Sequence, residues 1–305
     1  MATRTKLQVD ATVVPSSFQP IFGNYRGYYT KRPFVTDPRL AVLPSSIFSG
    51  ACVLDIGCNE GWVTCEIAQS KGAKKVVGVD IDDTLIRAAW KRRRYVWSLQ
   101  EPVDDGEFPD DTPDGRADEQ PAPKKRRRDS DVSTLAGAEH PRRPRTDYFP
   151  ASSEHMFGPL PIPPTEHGSG NVPELFPHNV TFRTADWVSN DIPEDMGGYD
   201  VVVAFSVSKW IHLNGGDEGI MQFFRRVYSV LRPGGTFILE VQEWDTYAKA
   251  RRMDPKLKET AKNLQLRPHD FEEILRGIGF GPAEHLGKVG QGGFCRPIDV
   301  YRKTK

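Results

Sequence analysis

The sequence predicts an α/β protein, a mostly parallel β-sheet flanked by helices, and three observations carry the prediction. Short apolar runs alternate with amphipathic stretches on both sides of a long polar interval. One apolar run enters a helical stretch through a glycine-bearing turn, Asp55-Ile56-Gly57-Cys58-Asn59-Glu60-Gly61. A 38% apolar content over 305 residues suffices for one large core.

Strands are expected at Cys52 to Ile56, Lys75 to Val79, Val180 to Arg183, Asp200 to Phe205 and Thr236 to Val241. Two later ones are expected near Ala283 to Leu286 and Ile298 to Tyr301. Helices fill the gaps at Gly61 to Ser70, Asp83 to Ser98, Asp217 to Leu231 and Asp270 to Gly277. The third stops at Arg232-Pro233-Gly234-Gly235.

From about Gln100 to His178 the composition changes, with 14 of the 25 prolines and few aliphatic residues, and residues 100–178 read as a disordered insertion in a single domain spanning 1–305. Residues 1–17 read as a flexible N-terminus. Between Glu101 and His178 stand 16 acidic and 9 basic residues, which leaves 25 acidic and 32 basic elsewhere. The overall balance of 41 each therefore names no partner, and the basic excess outside the insertion is a modest attraction for a polyanion. Inside the insertion, Lys124-Lys125-Arg126-Arg127-Arg128 and a second cluster at Arg142, Arg143 and Arg145 suit a nuclear import signal. A solvated charge run is the alternative.

Four cysteines without a C-x-x-C pair fit a reduced intracellular protein and imply no metal site. The first residues lack the apolar run of a signal peptide. No window approaches the roughly 20 apolar residues that span a bilayer, so no membrane partner is expected.

The glycine turn has the spacing Gly57-x-x-x-Gly61, not the G-x-G-x-x-G of a pyrophosphate cradle, which favours a cofactor without phosphates. About 20 residues on, the next strand ends at Asp80, where a carboxylate can accept from both hydroxyls of a ribose. Read alone, Asp55 is a strand-end cap and Asp80 a helix cap; together they point to a nucleoside site. With Leu231-Arg232-Pro233-Gly234-Gly235, the pattern resembles the class I methyltransferases, Rossmann-like proteins that use S-adenosyl-L-methionine. Asp186, after the next strand, stands where that superfamily commonly places an acceptor for the adenine amino group, and Trp187 adjoins it.

Further motifs narrow the resemblance. Asn24-Tyr25-x-x-Tyr28-Tyr29, Asp37-x-Arg39-Leu40, Asp55-x-Gly57-Cys58-Asn59, Ser208-Lys209-Trp210-x-His212-Leu213-Asn214 and Gly293-Phe294-x-Arg296-Pro297 fall in the order of the Bicoid-interacting-protein family of RNA methyltransferases. The resemblance covers about Phe18 to Arg39, Val53 to Leu99 and Phe176 to Tyr301. It implies a seven-stranded sheet, and methyl transfer to a terminal phosphate oxygen at an RNA 5′ end, favouring the γ-phosphate of a small noncoding RNA. Ribonucleoprotein proteins are the further partners it implies. Cofactor contacts then fall on Tyr29, Arg39, Gly57, Cys58, Asn59, Asp80, Ile81, Asp186, Trp187 and Phe205. Catalytic contacts to the phosphate fall on Tyr28, Arg32, Lys209 and His212, with Phe294 and Arg296 closing the substrate side. At Asp186 and Trp187 the sequence departs from the family, which carries Asn and Tyr there.

These residue types suit the chemistry. A phosphate oxygen is already anionic near neutral pH, so cations are needed to position it and no base is needed to deprotonate it. Lys209 and His212, three apart, would face one ligand from a helical turn, although without the resemblance His212 reads better as a structural histidine and Trp210 as core. Tyr25, Tyr28 and Tyr29 suit a lid, a stacking surface for an RNA base, or both. A 5′ monophosphate acceptor and an RNA-chaperone role partly independent of catalysis remain as alternatives.

Overall fold

The computed structural model describes residues 20–29, 36–102, 145–164, 175–290 and 295–304. In chain order these form α1 (Pro38–Ala41), β1 (Cys52–Ile56), α2 (Trp62–Ser70), β2 (Lys75–Asp80), α3 (Asp83–Ser98), α4 (Ala151–Phe157), β3 (Val180–Thr184), β4 (Tyr199–Phe205), α5 (Ser208–Val230), β5 (Leu231–Glu240), α6 (Tyr247–Ala250), α7 (Pro255–Asn263), α8 (Phe271–Ile278), β6 (Glu284–Val289) and β7 (Arg296–Arg302). The seven strands make one sheet in the order β3-β2-β1-β4-β5-β7-β6. β1 to β5 run parallel, and β7 is antiparallel to both β5 and β6. That order, with its single reversed strand, is the class I methyltransferase arrangement.

The central strands read as unbroken apolar runs because both faces of the sheet are covered. Successive side chains alternate between two cores. Val53, Val76, Val201 and Val203 pack with Val63, Ile67, Ile86 and Ala89 of α2 and α3. Leu54, Ile56, Val202 and Phe237 pack on the other face with Ile220, Phe223, Phe224 and Val227 of α5 and with Phe271 and Leu275 of α8. A third, smaller cluster joins Trp210 and Leu213 of α5 to Tyr247, Leu257 and Leu264. It positions the cavity wall described below.

Several elements differ from the sequence-based expectation: the short helices α1, α4 and α6 are not part of it, and β5 begins at Leu231, where it places a helix end. α5 starts at Ser208, not Asp217: Gly216 (φ 69°, ψ −168°) kinks the chain and a further helical segment precedes it. Asn214 bonds back to the Trp210 carbonyl at 2.9 Å and to Ile21 O at 2.9 Å, which holds the first segment together. α7, absent from the expectation, buries Leu257 and Ala261 and is capped by Asp254, whose carboxylate accepts from the Lys256 amide at 2.7 Å.

Part of the stretch expected to lack structure has a defined place. α4 follows a backbone bond from Glu101 N to Arg145 O (2.7 Å), and Leu160 N donates to Ser98 Oγ of α3 (2.7 Å). Tertiary hydrogen bonds, not composition, fix it. Residues 1–17, Lys124 to Arg128, Arg142 and Arg143 lie outside the described residues. Among the described residues no helix is long and apolar enough to cross a membrane, and no cluster of His, Cys, Asp or Glu could hold a metal.

Candidate active site

A cavity of about 1140 Å³ opens where the parallel strands end, the position at which α/β sheets bind ligands. Its first half is built from the ends of β1, β2, β3 and β4. Gly57 turns the chain out of β1 at φ 73°, and a Cβ there would stand 2.1 Å from Val207 Cγ1, so only glycine fits. Asn59 follows in the left-handed region (φ 52°), which Asn tolerates better than most residues. That conformation aims the Asn59 amide at Asp80 Oδ2 (2.9 Å), while the Asp82 amide donates to Oδ1 (3.0 Å). Asp80 is thus fixed at the rim with acceptor capacity left on each oxygen. Burial raises its pKa to about 6. Asp55, by contrast, does not line the cavity: it accepts from Thr64 Oγ1 at 2.6 Å and braces the turn from behind.

Ile81, Asp186, Trp187 and Phe205 line the same half. Trp187 turns its indole N–H away to Asp195 (3.1 Å), leaving apolar surface for the cavity, and Asp186 is solvent-exposed beside it. Asn59 Oδ1 is buried with no protein partner. An acidic acceptor, an apolar slot, a glycine wall and a vacant amide oxygen fit a nucleoside without phosphates.

The second half is cationic. Lys209, Lys249, Lys256 and Arg296 line it, against Asp245. Lys209 is held at the start of α5 by its amide, which donates to Gln242 Oε1 (3.1 Å), and its Nζ reaches Thr246 Oγ1 (3.4 Å). Its pKa is lowered to about 8, by burial first and then by the like charges of Arg296 and Lys249. Arg296 enters from β7 and donates to Ser206 Oγ, which Tyr28 meets at 3.2 Å. Ser206 has left-handed backbone (φ 63°), a strained conformation of the kind that clusters at functional sites.

Residues 20–29 cross the mouth of both halves. Asn24 Nδ2 donates to Asp82 (2.8 Å), Asn59 Nδ2 to Tyr25 O (3.1 Å) and Gly27 N to Glu60 (3.0 Å), while Tyr25 packs edge-on against Trp210 at 5.8 Å. Tyr28 and Tyr29 line the cavity from this segment. Tyr29 also stacks on Trp62 (5.5 Å), and burial raises its pKa.

Three expected site residues stand behind the wall instead of in the cavity. Arg39, 2% exposed, bonds Asp37 (2.7 Å), Glu240 Oε2 (3.0 Å) and Tyr29 OH (3.0 Å), and its guanidinium lies 4.5 Å from the Phe205 ring centroid. Cys58 is buried in the core, its thiol pushed upward in pKa by burial. His212 does not share a ligand with Lys209: it is fully buried, bonded to Asp217 Oδ1 (2.8 Å) and Tyr247 OH (3.3 Å). Burial lowers the His212 pKa, and Asp217, which also accepts from Gln265 N at 2.7 Å, is held below the usual carboxylate range by its donors despite its own burial. The imidazole is a clasp between α5 and the chain after α7. Arg32 and Phe294 lie outside the described residues. Sequence reasoning missed Glu240, Gln242 and Lys249. An acid ending an apolar strand was a usable signal for Glu240; Lys249 left none.

Two sequence profiles match the chain, a methyltransferase-domain profile over residues 53–115 and that of Bicoid-interacting protein 3 (Bin3) over residues 199–303. It is 34% identical over 292 residues to the 7SK snRNA methylphosphate capping enzyme of Homo sapiens (93% of this chain, 39% of that one). With a probable RNA methyltransferase of Arabidopsis thaliana it shares 33% over 290 residues (92% and 80%). With the U6 snRNA methylphosphate capping enzyme of Drosophila melanogaster it shares 30% over 295 (93% and 75%). The chain belongs to the Bin3 family. It spans about two fifths of the length of the mammalian relatives it matches. Within the family frame, the Bin3 profile covers the half that carries Lys209, Lys249 and Arg296, and the methyltransferase-domain profile covers the glycine turn and Asp80.

Replacing Arg39 with alanine would leave Glu240 and Asp37 as adjacent buried anions. The expected loss, about 3–5 kcal/mol of unfolding free energy in urea titrations, would mark the pair as desolvated; a loss under about 1 kcal/mol would show that water reaches it.

Proposed function

We propose that this protein is an S-adenosyl-L-methionine-dependent methyltransferase acting on a terminal phosphate oxygen at the 5′ end of an RNA, with the γ-phosphate of a triphosphate end as its acceptor. The observation that carries the reading is the convergence of Lys209, Lys249 and Arg296 on one half of the cavity, close enough for two of them to depress the third. Such mutual repulsion is relieved by a polyanion, and three cations match a triphosphate better than a single phosphate. The names of the human and fly relatives, both methylphosphate capping enzymes, support it.

S-adenosyl-L-methionine, when bound, supplies an electrophilic methyl group. Asp80 would accept from its ribose hydroxyls, Ile81, Trp187 and Phe205 would flank its base and Asp186 would accept from the base's amino group. Gly57 would let the backbone approach closely. Lys209, Lys249 and Arg296 would hold non-attacking phosphate oxygens, and Ser206, itself bonded to Tyr28, accepts from the Arg296 guanidinium. Residues 22–29 line the cavity and would limit the access of water to a bound acceptor, which would strengthen these contacts. One catalytic domain with an insertion is the organisation we assign. Within it, Lys124 to Arg128, with Arg142, Arg143 and Arg145, act as the import signal of a nuclear protein.

Labelled methyl should pass from S-adenosyl-L-methionine to a 5′-triphosphate RNA and fail with the dephosphorylated RNA. Lys209→Ala should lower the rate at least 100-fold, and Lys249→Ala should act more on the triphosphate than on a monophosphate end. Higher activity on the monophosphate end would shift the acceptor to the monophosphate; cofactor binding without transfer to any RNA would refute the reading.

The pH dependence has two limbs. Asp80 must be ionised for both oxygens to accept from the ribose hydroxyls, so kcat/KM for the cofactor should rise through about pH 6. Lys209 loses its charge as pH rises through about 8, so kcat/KM for RNA should fall above that. Lys209→Arg, whose guanidinium stays charged, should remove the alkaline limb; a limb that persists in that variant belongs to another group.

Deleting Lys124 to Arg128 from a fluorescently tagged full chain should shift it from nucleus to cytoplasm. An unchanged distribution would sink the import reading.

A further inference from the structure

α3 carries five cations, Arg87, Lys91, Arg92, Arg93 and Arg94, and Asp83 as its one carboxylate. Arg92 turns inward over the Trp62 ring. Arg87, Trp90, Lys91 and Arg94 are all exposed, at the i, i+3, i+4, i+7 spacing that makes one face of a helix. Trp90 keeps 37% of its surface in solvent, although its ring is pinned edge-on by Phe182 (5.3 Å) and flanked by Arg93 (4.9 Å). The indole is thus held in one orientation with part of its surface in solvent and cations on either side of it along the helix. Arg87 pairs with Asp83 at 2.7 Å, but with side chains 77% and 57% exposed the pair is solvent-screened and easily exchanged for another anion. Arg94 donates to the Pro159 carbonyl (3.1 Å), two residues from Phe157, which is 80% exposed.

The stripe has a direction. Ile81 lines the cavity, Asp82 caps α3, and Arg87 to Arg94 then run about 10 Å along the helix away from that rim. We propose that the outer face of α3 is a second RNA-binding surface, a track for the single-stranded segment that follows the 5′ end held in the cavity. Arg87, Lys91 and Arg94 take phosphates, and Trp90 offers a stacking platform. The proposal rests on the reading of the cavity as an RNA 5′-end site. Alternation of cations with an exposed aromatic favours a single strand over an acidic peptide, which would use the charges and ignore the ring.

The test uses the full chain and a fluorescent 5′-hydroxyl RNA, which carries no terminal phosphate for the cavity. Arg87→Glu with Lys91→Glu should weaken binding about tenfold or more and make the salt dependence shallower by roughly 0.7 per lost phosphate contact. Trp90→Ala should weaken it about fivefold or more with the salt slope unchanged. Methylation of a triphosphorylated dinucleotide, too short to reach α3, should be unaffected in all these variants, while KM for the longer RNA rises. All these positions are exposed, and unchanged thermal unfolding would show that the variants are folded. Unaltered affinity for the long RNA in both variants overturns the proposal, as does an equal loss for polyglutamate, which would make α3 a docking face for acidic protein. Failure of the cavity reading looks different: no RNA would be methylated, yet 5′-hydroxyl RNA binding would still fall in the α3 variants.

Discussion

A guanidinium that is 2% exposed has to be surrounded by acceptors, and Arg39 draws its own from three parts of the chain. Asp37 precedes it, Tyr29 comes from the segment over the cavity and Glu240 from the end of β5. Glu240 in turn accepts from Ser206, and Ser206 accepts from Arg296. A chain of charge-assisted bonds therefore runs from Asp37 and Arg39 through Glu240 and Ser206 to Arg296, one of the cations that line the cavity. Such buried pairs contribute little net stability compared with an apolar core, because desolvation offsets attraction. Their value lies in register: each partner has one position in which its neighbours are satisfied.

That constraint separates what the sequence shows from what it hides. Strands β1 to β4 and the second half of β5 were legible because burial on both faces demands continuous apolar residues, whereas the first half of β5 carries Pro233-Gly234-Gly235 and reads as the end of a helix. Gly57 and Asp80 were legible because the turn and the strand end that follow from the fold force those residue types. The first segment of α5 was hidden, since the glycines that kink it resemble a terminator. The order of α4 depends on Ser98 and Glu101 meeting atoms 44 or more residues away, which no local window contains.

The same distinction explains the cavity. Lys209 was marked by a motif, and the structure lines the cavity with it. His212 belongs to the same motif, but a three-residue offset does not determine which way a side chain points once Asp217 and Tyr247 compete for the ring. Lys249 sits on a helix of four residues with no pattern to announce it, and only the packing of Tyr247 and Ala250 on Trp210 and Leu213 turns it toward the other cations.

The reversed strand β7 lies inside the sheet, between β5 and β6, and carries Arg296 at its first position. The ribosome therefore finishes the glycine turn and Asp80 more than 200 residues before it makes this cation. A nascent chain can already hold Gly57, Asp80 and Phe205 while β5 still shows an unpaired edge and the cavity lacks the Arg296 guanidinium. Pairing of β7 with β5 and arrival of the Arg296 guanidinium at the cavity are one event, while β3 and β6 remain the edges of the open sheet.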